Sequence, residues 1–164
     1  RKENSLMVYT SPVAEVPVSR GKFVALIDER DARDVLAFTW FISMGYVMSA
    51  QFSPNLSLHR FIMEPSRIQR IDHANGDRLD NRRCNLRFAT TSQNNANVDR
   101  RPHSQWRFKG IYSPKNSGRW KARIRFQGRT IHLGSFGTDV DAALAYDAKA
   151  RELFGEFARL NFPV

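Results

Sequence analysis

Residues 70–97 read R-I-D-H-A-N-G-D-R-L-D-N-R-R-C-N-L-R-F-A-T-T-S-Q-N-N-A-N, a polar stretch with few residues typical of a core. A short apolar strand leads into Asp72-His73, and Asn75-Gly76 supplies a turn directly afterwards. A loop rich in turn residues follows, then Leu86–Ala89 fits a second strand. Thr91 is a candidate N-cap for a short polar helix. The expected order is therefore strand, loop, strand and helix.

This order would bring Asp72, His73 and Asn94 to one place. Asp72 offers a carboxylate oxygen and Asn94 an amide oxygen, and such hard donors suit one Mg²⁺ or Mn²⁺ ion with open positions for water and phosphate. His73 titrates near neutrality and can take a proton from an attacking water. Neighbours on a strand point to opposite faces, so Asp72 and His73 converge only at a strand end. Asn85 is expected to hold the long loop by bonding backbone groups.

Two interpretations of this stretch compete. In the first, its Asn and Asp residues are ordinary turn formers that bond nearby backbone. Each residue alone favours that alternative. The joint spacing favours a metal-dependent nuclease site instead, with guanidinium groups available for phosphates from Arg78, Arg82, Arg83 and Arg87.

Composition and charge narrow the classes of partner. The 164 residues carry a net charge of +10 and a single cysteine, Cys84, which excludes an intramolecular disulfide and a Cys-rich zinc site. Residues 1–66 carry 7 Lys/Arg against 7 Asp/Glu, residues 67–100 carry 7 against 4, and residues 101–164 carry 12 against 5. This gradient indicates a polyanionic partner for the middle and C-terminal parts. No apolar run approaches the ~18–20 residues that a membrane span needs.

The N-terminal third fits a small antiparallel sheet with one short helix. Val16–Val18 and Phe23–Ile27 are candidate strands, residues 28–38 suit a short helix, and Trp40–Ile42 with Tyr46–Phe52 fits a hairpin. An apolar run over residues 56–63 then ends at Pro65 and contains His59. A lone His in such a run is more often structural than catalytic, so His59 is at most a residue behind the site or a phosphate contact.

Strict alternation marks the C-terminal third. Along Arg119–Phe126, four apolar residues lie on one face of a predicted strand and four basic residues, Arg119, Lys121, Arg123 and Arg125, on the other. A solvated sheet face is the alternative, but four like charges on one strand repel one another, so a polyanion explains them better. Residues 110–112 and 129–133 complete a three-stranded sheet. A helix beginning near Thr138 and ending at Gly155 follows, with small residues toward the sheet.

The run I-D-H-A-N-G-D-R-L-D-N-R-R-C-N-L-R-F-A-T-T-S-Q-N-N-A-N resembles the HNH homing endonucleases of phages and mobile introns. L-H-R-F-I-M, P-V-S-R-G-K-F-V-A-L-I-D and W-F-I-S-M-G-Y resemble the N-terminal region of the same family, so the resemblance covers about residues 14–97. It implies a ββα-metal fold in which Asp72 and Asn94 hold one divalent ion, His73 is the general base and Asn85 holds the loop. The cysteine pairs of zinc-bearing members are absent, so no structural zinc is expected.

Residues 106–163 resemble the plant apetala-two (ethylene-response-factor) DNA-binding domain. The motifs are K-G-I-Y, G-R-W-K-A-R-I-R, I-H-L-G-S-F-G-T, A-A-L-A-Y-D and L-N-F-P. The resemblance implies a three-stranded sheet in the major groove of DNA. Tyr112 and His132 depart from the residues usual in the plant domains, which leaves the recognised sequence open. The residues that match its contact sites by position are Lys109, Arg119, Arg123 and Arg125.

The sequence therefore predicts an α+β chain. Residues 12–97 would form an N-terminal small antiparallel sheet with a ββα-metal HNH nuclease core, 98–105 a linker, and 106–164 a three-stranded antiparallel sheet packed on one helix. The expected function is a Mg²⁺- or Mn²⁺-dependent, homing-type DNA endonuclease that nicks one strand at a time. The alternative is a catalytically silent, sequence-specific DNA-binding regulator.

The expected partner is double-stranded DNA, with no membrane, and the chain would be a monomer or weak dimer. The expected location is the cytoplasm of a bacterial or phage-infected cell, on DNA. A phage-type origin follows by analogy with mobile-element endonucleases.

Overall fold

The computed structural model describes residues 11–99, 104–115 and 117–163. The chain divides into two compact units, Arg1–Arg67 with Asp77–Arg87, and Ile68–Gly76 with Phe88–Val164. The architecture of several small antiparallel sheets with a few helices confirms the predicted α+β class. None of the helices in the described residues has the length and apolar character needed to cross a bilayer.

The first unit contains a β-hairpin, a three-stranded sheet and two short helices. The hairpin pairs β1 (Val13–Val18) with β2 (Phe23–Asp28), and α1 (Glu29–Val35) follows it. The antiparallel sheet has the order β3 (Phe41–Ser43), β4 (Tyr46–Ser49) and β5 (Leu56–Ser57), and α2 (Leu58–Met63) continues from it. This is the small antiparallel sheet region expected from the sequence, with a second short helix in the apolar run.

Period-two alternation explains the hairpin of the first unit. Val16, Val18, Ala25 and Ile27 are fully buried, while the residues between them face outward or are half-buried. Trp40 closes this core by donating its indole N–H to the Val35 carbonyl at 2.9 Å.

The polar stretch adopts the predicted order of elements. β6 (Arg70–His73) and β7 (Leu86–Ala89) form a two-stranded sheet, and α3 (Thr91–Asn97) follows. The predicted cap is wrong by one residue, because Thr90 and not Thr91 is the N-cap. The Thr90 hydroxyl accepts from the Gln93 backbone N–H at 3.2 Å, and the Gln93 side chain accepts from the Thr90 backbone N–H at 2.8 Å. This reciprocal capping box selects Thr90, since Gln93 stands three positions after it.

The C-terminal elements form the predicted three-stranded antiparallel sheet packed on one helix. The sheet order is β10 (Arg129–Phe136), β9 (Trp120–Phe126) and β8 (Ile111–Tyr112). The last strand runs three residues past the predicted end, because an irregularity between His132 and Gly134 lets pairing continue to Phe136. α4 (Asp139–Phe154) begins after Thr138, whose hydroxyl accepts from the Asp141 backbone N–H at 3.0 Å, and a 3₁₀ turn occupies Gly155–Phe157.

Small residues let α4 lie close to this sheet. Ala142, Ala143 and Ala150 are buried against a sheet face that presents Ala122 and Ile124. Gly110 is required by the same packing. A Cβ built there would lie 1.9 Å from the Tyr146 ring, and the φ of +79° disfavours other residues as well.

Candidate active site

Asp72, His73 and Asn97 meet where β6 ends. Asp72 and His73 are each 5% exposed, and Asn97, the last residue of α3, is 8% exposed. The Asn97 side-chain amide donates to Asp72 Oδ1 at 3.0 Å, to Asp72 Oδ2 at 3.1 Å and to the His73 backbone oxygen at 2.7 Å. One amide on the helix therefore holds both residues at the strand end.

A tight turn follows His73, as the sequence predicts. The Gly76 backbone N–H donates to the His73 carbonyl at 2.9 Å, and Gly76 has a φ of +82°. That φ is in the left-handed region, where glycine carries no steric penalty. The turn ends the strand at the pair of residues to which the site is assigned.

Asn94 lies one helical turn before Asn97 on α3 and is half-buried. Residues three apart share a face of a helix, so Asn94 lies on the side of α3 that carries Asn97. Sequence reasoning selected Asn94 and overlooked Asn97. The three-residue spacing of the two amides was the signal available for it.

Asn85 bonds the backbone of the loop that separates the two strands. Its amide donates to the Asp80 carbonyl at 2.7 Å, and its backbone N–H donates to the Arg82 carbonyl at 2.9 Å. A second amide, Asn81, is almost fully buried and donates to the carbonyls of Arg78 and Leu79, each at 3.1 Å. The side-chain amides of Asn81 and Asn85 thus donate hydrogen bonds to backbone carbonyls of residues 78–80.

Two arginines predicted to contact phosphate form ion pairs within the first unit. Arg82 makes a bidentate pair with Asp80 at 2.7 Å for both contacts, and Arg83 pairs with Asp31 at 3.0 and 2.8 Å. The hydrogen bonds to these carboxylates raise the pKa of both guanidinium groups above the ordinary value. The two charges are therefore partly neutralised by their acidic neighbours.

The remaining candidates of this region are held in other ways. Arg78 donates to the Met44 carbonyl at 3.2 Å, and its guanidinium carbon lies 4.2 Å from the centre of the Tyr46 ring. Arg87 is half-buried on β7. The His59 ring nitrogen lies 3.2 Å from the Ser57 hydroxyl, and its ring centre is 5.4 Å from that of Tyr46.

The Asp72 carboxylate at the end of β6 and the Asn94 amide on α3 are oxygen donors of the type that a hard divalent cation takes. Asn97 supplies one amide contact to each oxygen of the buried Asp72 carboxylate, and a carboxylate oxygen can accept from more than one partner. Carboxylate and amide oxygens are donors that Mg²⁺ and Mn²⁺ take, so Asp72 and Asn94 suit such an ion. Among the residues that the structure describes, no group of three or more His, Cys, Asp or Glu could hold a metal. A site built on Asp72 and Asn94 has only one such residue, and its remaining positions would go to water and phosphate.

The basic face of the C-terminal sheet has the predicted alternation. Ala122 and Ile124 are buried beneath it, while Arg123 and Arg125 are exposed, Lys121 is half-buried and Arg119 stands exposed just before β9. The Arg119 guanidinium donates to the Ser135 carbonyl at 2.9 Å, and that of Arg123 lies 4.7 Å from the centre of the Tyr112 ring. Arg123 and Arg125 thus present positive charge on the face away from α4.

Lys109, a predicted DNA contact, is half-buried and bonds the backbone near the end of α3. Its ammonium group donates to the Ala96 carbonyl at 2.6 Å and also to the Val98 carbonyl. Burial lowers the pKa of Lys109 from 10.5 to about 8. The Val98 carbonyl belongs to the predicted linker, of which residues 100–103 lie outside the described part of the chain.

The closing L-N-F-P motif is held by one buried acid. Asp147 on α4 is 2% exposed and accepts from the Asn161 backbone N–H at 2.9 Å, the Asn161 amide at 3.0 Å and the Phe162 backbone N–H at 2.8 Å. The motifs A-A-L-A-Y-D and L-N-F-P are therefore one structural feature.

Comparisons with known proteins match both regions. The HNH endonuclease family model matches residues 69–96. An uncharacterized HNH endonuclease of Acanthamoeba polyphaga mimivirus is 33% identical over 135 residues, which cover 77% of this chain and 68% of that protein. Over the C-terminal region, dehydration-responsive element-binding protein 2D of Arabidopsis thaliana is 45% identical over 58 residues, which cover 34% of this chain and 28% of that protein.

A second plant relative gives the same result. Dehydration-responsive element-binding protein 2A of Oryza sativa subsp. indica is 51% identical over 47 residues, which cover 27% of this chain and 17% of that protein. The chain therefore spans less than a third of either plant protein. Taken with the match along most of the mimivirus relative, the chain belongs to the HNH endonuclease family and carries an apetala-two-type region after its HNH motif.

Proposed function

We propose that this chain is a divalent-metal-dependent DNA endonuclease of the homing type. The observation that carries the proposal is the buried pair Asp72 and His73 at the end of β6, held by the Asn97 amide. The apetala-two-type region would deliver the duplex. One site per chain would cut one strand at a time.

His73 is the proposed general base. It would take a proton from the water that attacks the scissile phosphorus, while the bond to the 3′ oxygen breaks. Asn97 fixes the His73 backbone at 2.7 Å, which limits the positions available to the ring. The backbone that carries the imidazole is therefore held in place before substrate arrives.

Asp72 and Asn94 are the proposed ligands of one Mg²⁺ or Mn²⁺ ion. When bound, that ion would neutralise charge that develops on the phosphate and on the leaving 3′ oxygen. Asn97 orients the Asp72 carboxylate through both of its oxygens. Residues that orient a ligand in this way set its geometry and basicity.

The exposed basic face around Arg123 and Arg125 is the proposed contact with the major groove. Guanidinium groups pair with phosphates and with guanine edges, so this face would both anchor and select the duplex. Lys121 on the same strand and Arg119 just before it extend this face. Five further proposed DNA contacts are Arg78, Arg82, Arg83, Arg87 and Lys109. Four of them, Arg78, Arg82, Arg83 and Lys109, also bond groups within the protein. A nuclease of this kind would act on intracellular DNA.

Plasmid nicking tests the proposal. Supercoiled plasmid carrying a site selected from random duplex DNA is incubated with the full chain and Mg²⁺ or Mn²⁺. Conversion to open circles, lost with EDTA and with Asp72→Ala, is the expected result. A wild-type protein that binds this DNA but leaves it supercoiled with both ions would support the silent DNA-binding regulator instead.

A further inference from the structure

The chain that follows α4 returns to the C-terminal end of α3. The Arg159 backbone N–H donates to the Ala96 carbonyl at 3.1 Å. The Arg159 guanidinium makes two bonds to the Asp99 carboxylate, at 2.8 and 3.0 Å, and a third to the Asn75 carbonyl at 3.3 Å. Asn75 lies two residues after His73, and Asp99 lies two residues after Asn97. Arg159 therefore bridges the turn behind the proposed base and the end of the helix that holds it.

Lys109 reaches the same place from the segment before β8. Its ammonium group shares the Ala96 carbonyl with the Arg159 backbone and also bonds the Val98 carbonyl. Its own backbone N–H donates to the Asn161 side chain at 2.7 Å, and the Asn161 amide donates to the Lys109 carbonyl at 3.2 Å. We call the contacts of Lys109 and Arg159 with residues 75 and 96–99 the clamp.

The clamp is anchored in the core of the apetala-two-type region. Asn161 is fixed to the buried Asp147 on α4, and α4 packs on the sheet that carries the basic face. Ala96 of α3 is itself buried with Ile124, Tyr146 and Phe154 in one cluster. A continuous set of contacts thus connects the basic strand β9 to the end of α3 and the turn after His73.

α3 does not pack against the sheet along its whole length. An open cavity of about 790 Å³ is lined by Thr91, Ser92 and Asn95 from the start and middle of α3, and by Arg123 and Arg125 from the sheet. On the side that faces the sheet, α3 is therefore held at its C-terminal end, where Ala96 and the clamp are found.

A rigid connection changes what such an enzyme can do. A flexible tether of about eight residues has a root-mean-square span of about 16 Å. At about 3.4 Å per nucleotide along one strand, that freedom covers about five nucleotides. A recognition region on such a tether would let the active site reach several phosphates, whereas a clamped one presents a single phosphate.

We propose that Arg159, paired with Asp99, is a positioning residue that fixes the distance between the recognised sequence and the cleaved phosphate. The inference rests on the proposed function and adds a determinant of cut position to it. The Arg159 and Asp99 side chains are 37% and 69% exposed. An ion pair this exposed contributes little to the stability of the fold, so Arg159→Ala is expected to leave the chain folded.

The test maps cuts on an end-labelled duplex that contains the selected binding site. Wild type is expected to cut one phosphate, and Arg159→Ala is expected to bind with equal affinity and spread its cuts over several neighbouring phosphates. The charge swap Asp99→Arg with Arg159→Asp restores the ion pair but not the bond to the Asn75 carbonyl, since a carboxylate cannot donate, and it is expected to narrow the spread of cuts relative to Arg159→Ala. The matched control is Lys149→Ala, which removes a partly exposed ion pair with Glu152 on α4 and is expected to leave the pattern unchanged.

A single, unshifted cut by Arg159→Ala at the wild-type rate would overturn the positioning role while leaving the nuclease intact. Uniform slowing with no spread of positions would equally overturn it, since a purely structural residue changes the cleavage rate and not the position of the cut. A wild type that binds the duplex and cuts nothing would refute the proposed function itself, so the two failures are distinguishable.

Discussion

Asn97 donates its side-chain amide to both oxygens of the Asp72 carboxylate, at 3.0 and 3.1 Å. The same amide lies 2.7 Å from the His73 carbonyl oxygen. One residue at the end of α3 thereby orients the proposed metal ligand and the backbone of the proposed base. The geometry of the site depends on the packing of α3 as much as on the strand that carries the acid and the histidine.

Asn97→Ala is expected to lower both stability and cleavage. Removing one partner of a buried hydrogen-bonded group costs about 1–3 kcal/mol, more where the remaining group is charged. Urea unfolding measures the first effect and plasmid nicking the second. Asn95→Ala, an exposed change on the same helix, is the matched control and is expected to fall within about 0.5 kcal/mol of wild type. Equal behaviour of the two variants would remove Asn97 from the site.

His73→Ala is expected to lose cleavage by about 10²–10⁴-fold while keeping DNA affinity, because a general base contributes to the transition state and not to duplex binding. Single-turnover nicking and equilibrium binding to the same duplex measure the two quantities. His59→Ala is the control: His59 contacts Ser57 and Tyr46 within the first unit, and its removal is expected to leave the rate near that of wild type. Parallel loss of rate and affinity in His73→Ala would make His73 a structural residue.

The local pattern of the sequence predicted most elements, since their signals lie within a few residues. Alternation predicted β9, and the turn at Gly76 predicted where β6 ends. The Thr90 cap was missed by one position because two adjacent threonines precede the helix, and only Gln93 distinguishes them. The error is a shift of one residue along the chain, and the type of element is as predicted.

Local sequence patterns do not predict contacts between segments that lie far apart in the chain. Arg159 and Asp99 are 60 residues apart, and neither stands in a motif that names the other. The three-residue spacing places Asn97 on the same face of the helix as Asn94, but only the fold shows that its amide bonds the Asp72 carboxylate. Arg82 and Arg83 are expected to contact phosphates from their charge, and only the fold shows the acids, Asp80 and Asp31, that pair with them.

Arg123→Ala and Arg125→Ala are each expected to weaken DNA binding and to reduce the slope of log K against log salt by about 1, because each removes one cation that displaces counterions from DNA. Binding to the selected duplex at several salt concentrations measures this slope. Arg151→Ala, an exposed cation on α4, which packs behind the sheet, is the control and is expected to keep the wild-type slope. An unchanged slope in the strand variants would remove the basic face from the interface.

Lys109 makes stability depend on pH in a defined window. Burial lowers its pKa from 10.5 to about 8 in the folded state, so between these values the unfolded chain binds a proton that the folded chain has lost. The unfolded state then binds more protons, and the free energy of unfolding rises with pH across that window. Below about pH 8 both states are protonated, and the full penalty of burying the charge persists.

Lys109→Met removes this titration while keeping an unbranched side chain in the same space. Urea unfolding of both proteins at about pH 7.5, 9 and 10 spans the expected window. The free energy of unfolding of wild type is expected to rise relative to that of Lys109→Met as the pH increases. Comparing the two proteins cancels the groups that they share. The Lys149→Met variant, changed at an exposed ion pair on α4, controls for the loss of one surface lysine. Wild-type and Lys109→Met curves that stay parallel from pH 7.5 to 10 would show that the ammonium group is not confined between α3 and the apetala-two-type region.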